Sequence, residues 1–146
     1  MANKYVLLLC VTVGSAQSLR QLADQRGIRI GAAAAPGYFS ESQYRATLSR
    51  EFDQLEPENA MKFGPIHSGP TTYDFDPADA LVNFAKANNM AVRGHALVCH
   101  NQLPSWLTRG GFTPAQLSSL LQDHIHNRSG PLCRPSVRVG RGQRGL

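Results

Sequence analysis

Long apolar runs are the first feature that this 146-residue sequence lacks. A membrane-crossing helix needs about 20 consecutive apolar residues, and no segment here is that long and that apolar, so we expect no membrane partner. Cysteine is also scarce, with three in the chain, which is too few for the disulfide framework of a small secreted scaffold. The composition therefore favours a globular protein with a packed core, and the length suffices for one domain.

Acidic residues are absent from one end of the chain. Residues 128–146 contain five arginines and no aspartate or glutamate. Subtracting these five from the 15 basic residues leaves ten, which balance the ten acidic residues of 1–127. The formal charge of +5 thus lies entirely in the tail. Because nucleic-acid binding uses a basic field over a folded surface, no nucleic-acid partner is predicted.

Residues 1–16 have the pattern of a signal peptide. Lys4 supplies a positive start, residues 5–13 are mainly apolar, and Gly14-Ser15-Ala16 offers small residues for cleavage. A buried first strand is the alternative. We expect a secreted, extracellular protein, and cleavage would remove Cys10 and leave Cys99 and Cys133.

Strand and helix patterns alternate after this segment. Helices are predicted from Leu19, after Ser40, after Asp76 as an N-cap with Pro77 in the first helical position, and after Thr113. Strands are predicted at residues 28–34, 54–58 and 91–98. Ser40 to Gln43 and Thr113 to Gln116 both have capping-box spacing. The alternation predicts an α/β fold with parallel strands, either a doubly wound sheet or a (β/α)8 barrel. No nucleotide-binding glycine loop follows the first strand, which weakens the nucleotide-binding version of the doubly wound sheet. A complete (β/α)8 barrel needs about 250 residues, so this chain would supply about three of its eight units.

Polar residues concentrate just after two predicted strands, in residues 56–63 and 93–106. The carboxyl ends of barrel strands face the active site. Asparagine, lysine, histidine and glutamine suit sugar hydroxyls, which both donate and accept hydrogen bonds. If the third strand reaches residue 98, then His95, Leu97 and Cys99 share one face.

Other interpretations of these segments remain open. Glu56 and Glu58 also fit a solvated loop pair. Four histidines (His95, His100, His124 and His126) lack standard zinc-ligand spacing, so no metal or other cofactor is expected. Trp106 fits a loop anchor as well as a stacking platform for a sugar.

Residues 19–127 resemble glycoside hydrolase family 10, the β-1,4-xylanases. The resemblance rests on Pro-Glu-Asn-Ala-Met-Lys at 57–62 and on Arg-Gly-His…His-x-Gln-x-Pro-x-Trp at 93–106. It implies a partial (β/α)8 barrel and retaining hydrolysis of internal β-1,4-xylosidic bonds in xylan by two glutamates about 5–5.5 Å apart. In the family both glutamates lie beyond the third strand, so no catalytic residue is expected in this chain, which should be inactive alone.

The resemblance also implies a set of substrate-binding residues for xylan or xylo-oligosaccharides: Glu58, Asn59, Lys62, His95, Cys99 and Gln102. Cys99 stands where the family usually has tryptophan, and Phe63 where it often has one. Loss of an indole removes stacking area beside a sugar. No obligate protein partner is expected.

The tail from residue 128 shows no helical or strand period, and we expect it to be disordered. It also has an interpretation in the genetic code. Residues 137–145 permit the codons GTG CGG GTG GGA CGT GGT CAA CGA GGG, which read one base later give Cys-Gly-Trp-Asp-Val-Val-Asn-Glu. Trp-Asp-Val-Val-Asn-Glu is the acid/base motif of the resembled family. The tail is therefore interpreted as out-of-frame translation, with chance in an Arg/Gly-rich tail as the alternative.

Two functions from different classes follow. The first is a xylanase fragment with a signal peptide at 1–16, part of the barrel at 17–127 and an out-of-frame tail at 128–146. The second is a non-catalytic secreted protein that binds sugars or uses its basic tail for interactions. Binding through the tail would weaken steeply with salt.

Overall fold

The computed structural model describes residues 16–132 and 137–139. The expected signal peptide at 1–16 lies outside these residues except for Ala16, and so does much of the tail. The strands are β1 (Gly31–Ala34), β2 (Gln54–Pro57), β3 (Ala91–Gly94) and β4 (Val137–Val139). The helices are α1 (Leu19–Gln25), α2 (Ser42–Glu51), α3 (Phe63–Ile66), α4 (Asp76–Ala87), α5 (Ser105–Arg109) and α6 (Pro114–Leu132), with a 3-10 turn at Pro36–Tyr38.

All four strands are parallel and lie in the order β1-β2-β3-β4. Consecutive parallel neighbours joined by helices confirm the α/β interpretation and the barrel-type strand order. None of the helices in the described ranges is long and apolar enough to cross a membrane.

The core lies between the sheet and its helices. Leu55 and Val92 point from β2 and β3 into this layer and are 0% and 1% exposed. Leu48 of α2 and Leu81 of α4 pack in the same cluster. Side chains alternate along each strand, so the opposite face of the sheet carries Glu56 and its neighbours.

The start of α6 agrees with the sequence, whereas the starts of α2 and α4 differ from it. In α6, Thr113 N donates to Gln116 Oε1 (2.8 Å) and Gln116 N to Thr113 Oγ1 (3.4 Å), which confirms the capping box. The box predicted from Ser40 is wrong, because α2 begins at Ser42 with Glu41 as its N-cap, which makes no side-chain cap hydrogen bond. Asp76 is not the N-cap of α4, because the helix already includes Asp76 and Phe75 is its N-cap. Asp74 Oδ1 accepts from the N–H of Asp76 at 3.0 Å.

The third strand is shorter than predicted. It ends at Gly94, so His95, Leu97 and Cys99 do not alternate on one face. The ladder between β2 and β3 ends at Leu55↔Val92, and the last residue of β3, Gly94, pairs with Val139 of β4. The peptide bond after His95 is cis.

Regular structure extends into the segment that was expected to be disordered. Helix α6 continues to Leu132, and β4 pairs with β3 in the register Val92↔Val137. The extension of α6 adds residues to an existing helix without a new nucleation cost. The β-branched valines of β4 suit a strand that pairs with the open edge of β3. Disorder is therefore not found at 128–132 or 137–139, and the rest of the segment lies outside the described residues.

Candidate functional site

The ends of β2 and β3 bring the two polar segments to the same edge of the sheet. Glu58 follows β2, and its backbone N–H donates to Ala34 O at 3.0 Å. His95 follows β3 directly. Because both strands are parallel neighbours, the residues after them leave the sheet side by side.

Asn59 joins the two segments. Its Oδ1 accepts from Lys62 Nζ and from Gln102 Nε2, both at 2.8 Å. Gln102 adopts a left-handed backbone, with φ of 59°, as part of the turn that places it there. An amide oxygen has two lone pairs, so both are used, whereas the lysine ammonium keeps further N–H donors and the Gln102 amide keeps its own oxygen.

The other three expected residues lie outside this network. The Glu58 side chain is exposed. The imidazole of His95 is 48% exposed, and its Nδ1 lies 3.9 Å from Glu56 Oε1. Cys99 is half-buried and forms no disulfide among the described residues. The structure thus brings Asn59, Lys62 and Gln102 together, whereas Glu58, His95 and Cys99 do not join their hydrogen-bond network.

An ion pair on the open face of the sheet was not predicted. Arg93 NH1 donates to Glu56 Oε2 at 2.9 Å. The register pairs Leu55 with Val92, so the next positions of β2 and β3 face each other. Opposite charges at matched positions of adjacent strands were the signal that could have revealed this pair.

A stack of rings begins at Phe63, the residue directly after Lys62. The Phe63 ring lies 3.8 Å from His124 and 5.3 Å from His67, and His67 lies 4.1 Å from Tyr73. Trp106 Nε1 donates to the carbonyl of His67 at 3.2 Å. Trp106 is therefore a loop anchor, one of the two roles that its sequence allowed.

The ring stack also changes the interpretation of two sequence features. Phe63 is 3% exposed, so its ring packs in the stack and is not an exposed replacement for an indole beside a sugar. His124 is buried, and its Nε2 lies 3.1 Å from Leu97 O, which ties α6 to the loop after β3. Among the described residues, no group of three metal-binding side chains occurs.

His67 was not singled out from the sequence, because no pattern marks it. It is 1% exposed, and its Nε2 lies 3.4 Å from Pro70 O. Burial lowers the pKa of His67 below its ordinary value, and the Pro70 carbonyl and Asp123 oppose this only partly. Burial in the stack therefore favours the neutral imidazole over the protonated form.

The arrangement defines a class of protein: a barrel-type α/β sheet whose strand ends present amide, ammonium and imidazole groups suited to a polyhydroxylated ligand. Residues 18–131 match the model of glycosyl hydrolase family 10. The chain belongs to that family.

Individual relatives agree with this assignment. The chain is 41% identical over 125 residues to endo-1,4-beta-xylanase B of Thermotoga neapolitana, covering 82% of this chain and 36% of the relative. Xylanase 10B of Thermotoga maritima superposes with a TM-score of 0.78 at 42% identity, over 83% of this chain and 38% of that one. Xylanase 10B of Thermotoga petrophila RKU-1, in complex with xylobiose, gives 0.74 at 45% identity, over 77% and 36%. The chain thus spans little more than a third of these relatives.

Proposed function

We propose that this chain forms the sugar-binding part of an endo-1,4-β-xylanase and holds a xylose ring of the substrate without supplying the catalytic carboxylates. The hydrogen-bond network centred on Asn59 carries the proposal, because it unites the two motifs at the strand ends. Relatives named as xylanases and a neighbour in complex with xylobiose support xylan or a xylo-oligosaccharide as the ligand.

The chemistry of the network fits sugar hydroxyls. Lys62 offers N–H donors and Gln102 offers an amide oxygen, while the exposed carboxylate of Glu58 is an acceptor. His95 adds a ring nitrogen at the end of β3. Such groups orient a ring for attack by holding several hydroxyls at once. Cys99 contributes little stacking area, which favours weak binding.

Retaining hydrolysis requires two carboxylates about 5–5.5 Å apart, and we assign neither to this chain. The proposal therefore separates substrate positioning, which these residues perform, from bond cleavage. We further propose that the protein is secreted, which the composition of residues 1–16 supports.

Titration of the chain with xylobiose, followed by amide chemical shifts, tests the proposal. We expect shift changes around residues 58–62 and 95–102. Asn59→Ala should weaken binding by about tenfold, because it removes the acceptor that positions both Lys62 and Gln102. Asn83→Ala, on the exposed surface of α4, is the matched control and should bind as the parent does.

Two results would count against the sugar-binding role. One is a folded chain whose amide shifts do not change with xylobiose. The other is binding that Asn59→Ala and Asn83→Ala leave equally strong.

A further inference from the structure

The carboxylate of Glu56 lies between Arg93 and His95 on the open face of the sheet. Its Oε2 accepts from Arg93 NH1 at 2.9 Å, and its Oε1 lies 3.9 Å from His95 Nδ1. Arginine often binds a carboxylate through two parallel hydrogen bonds. The single hydrogen bond here uses Oε2 and leaves Oε1 turned toward the imidazole.

The backbone of β2 directs Glu56 to this place. Its neighbours Leu55 and Pro57 are buried on the core side, so the alternation of side chains turns Glu56 to the opposite face. The position matched to Glu56 on β1 is Ala33, which has no polar side chain. The matched residue of β1 therefore does not compete for the carboxylate.

Stability alone is a weak reason for this ion pair. The side chains of Arg93 and Glu56 are 49% and 29% exposed. Ion pairs that reach solvent contribute little to stability, because water screens the charges and ordering the two side chains costs entropy. The hydrogen bond from Arg93 does, however, fix the orientation of the carboxylate, and this gives Oε1 a defined place beside His95.

The place of Oε1 bears on the tautomer of neutral His95. A neutral imidazole carries its proton on Nδ1 or on Nε2, and the partner of one nitrogen decides the role of the other. A negative oxygen near Nδ1 attracts an N–H there and repels a lone pair. At 3.9 Å the contact is longer than a hydrogen bond, and polar contacts of a site often shorten when the ligand binds.

We propose that Glu56 is a positioning residue that holds His95 in the Nδ1–H tautomer, so that Nε2 accepts a hydrogen bond from a sugar hydroxyl. Lys62, at the same edge of the sheet, can only donate, so an accepting nitrogen complements it. Glu56 acts through His95 and does not itself contact the ligand. This assignment rests on the proposed function, in which His95 meets the sugar.

The tautomer is read from the nitrogen chemical shifts of the His95 ring in the full chain without sugar, at alkaline pH where these shifts no longer change. We expect Nδ1 to show the shift of an N–H nitrogen and Nε2 that of an unprotonated one. Glu56→Gln, which removes the charge but keeps the size, should lower the Nδ1–H population by about threefold. Glu41→Gln, at an exposed position before α2, is the matched control and should leave it unchanged.

Xylobiose affinity is then measured on the same variants by amide-shift titration. In Glu56→Gln it should fall by the same factor as the Nδ1–H population, because only that fraction of the chain is competent to bind. Glu41→Gln should bind as the parent does. Arg93→Met removes the ion pair but leaves the carboxylate beside His95, so its Nδ1–H population should lie between those of the parent and Glu56→Gln.

An Nε2–H tautomer in the parent overturns the proposal, and so does a tautomer population that Glu56→Gln leaves unchanged. Weaker binding with an unchanged population would assign a direct sugar contact to Glu56 and also overturns it. A changed population with unchanged affinity removes His95 Nε2 from the ligand contact and overturns it as well. A tautomer that depends on Glu56 in a chain that does not bind xylobiose keeps the effect of Glu56 on His95 and contradicts the proposed function.

Discussion

Gly64 lies where the backbone of α3 approaches the loop that carries Gln102. Its N–H donates to Gln102 O at 3.0 Å, and a Cβ at this position would overlap the same carbonyl. Because Gln102 donates to Asn59, the glycine helps to set the geometry of the site. A close approach between two backbones is thus part of the binding network.

We expect Gly64→Ala to lower the free energy of unfolding by about 1–3 kcal/mol, because the clash forces the backbone to move. The same change should weaken xylobiose binding by displacing Gln102. Urea unfolding and the amide-shift titration measure the two effects. Gly37→Ala, where no atom lies within 4 Å of the added carbon, is the control. Equal stability of the two variants would contradict this role.

His67 makes stability depend on pH. Folding lowers its pKa, mainly through burial, so the unfolded chain binds more protons below the ordinary value of about 6.5. The contribution of neutral His67 to the free energy of unfolding is therefore fully present above the unfolded pKa of about 6.5. It is lost as the pH falls through the lower pKa that His67 has in the folded chain. We expect the urea midpoint to be lower at pH 5 than at pH 8.

The variant His67→Phe separates the pH dependence of stability that comes from His67 from that of the other titratable residues. A phenyl ring can remain in the stack with Phe63 and Tyr73 but cannot take up a proton. The fall in midpoint between pH 8 and pH 5 should be smaller in the variant than in the parent. Parallel pH profiles for the two proteins would assign the dependence to other residues.

Among the secondary-structure elements, α1 is held mainly by polar contacts. Arg20 donates to carbonyls at the end of α4, and Leu19 N–H donates to Glu51 Oε2 at 2.7 Å. That backbone hydrogen bond, and then Arg50, lower the pKa of Glu51. A cation at carbonyls that end a helix is favourable, because these groups lack partners within the helix.

Arg20→Ala should release α1 without unfolding the sheet. We expect the local stability of residues 19–25 to fall by about 1–3 kcal/mol, since charged hydrogen bonds to carbonyls are lost. Amide hydrogen exchange should quicken in α1 and stay unchanged in α4. Arg29→Ala, at an exposed position before β1, is the control. Uniform acceleration across the whole chain would show that α1 does not open separately.

At the scale of the whole molecule, the tail raises a question that its DNA can answer. Residues 137–145 should be encoded by a sequence containing TGGGACGT or a synonymous equivalent, offset by one base from the frame of this chain. The offset frame should encode Trp-Asp-Val-Val-Asn-Glu and continue far enough to complete a barrel of about 250 residues. It should also reach a second glutamate at a later strand end, as retaining chemistry requires.

Sequencing of the gene and its transcript across the codon of residue 127 tests directly whether the offset frame encodes this motif. Stop codons in the offset frame, or a different encoded motif, would show that the tail belongs to this frame. The regular structure at 128–132 and 137–139 does not decide the question, because a helix end and a short strand need only compatible residues.

The sequence predicted the elements whose signals are local. The helix over Leu19–Gln25 and the capping box at Thr113 follow from short-range hydrogen bonds. Alternation of strands and helices predicted the parallel sheet, because long crossovers require it. The two polar segments were found from composition, and their meeting at one edge follows from parallel strands.

Only the tertiary structure decided contacts between distant parts of the chain. The bond from Gln102 to Asn59 spans 43 positions, and the stacking of Phe63 on His124 joins α3 to α6. The end of β3 at Gly94 depended on its pairing with β4, in which Gly94 lies opposite Val139. Such features have no local signature, because each depends on atoms that become neighbours only when the sheet and its helices have packed.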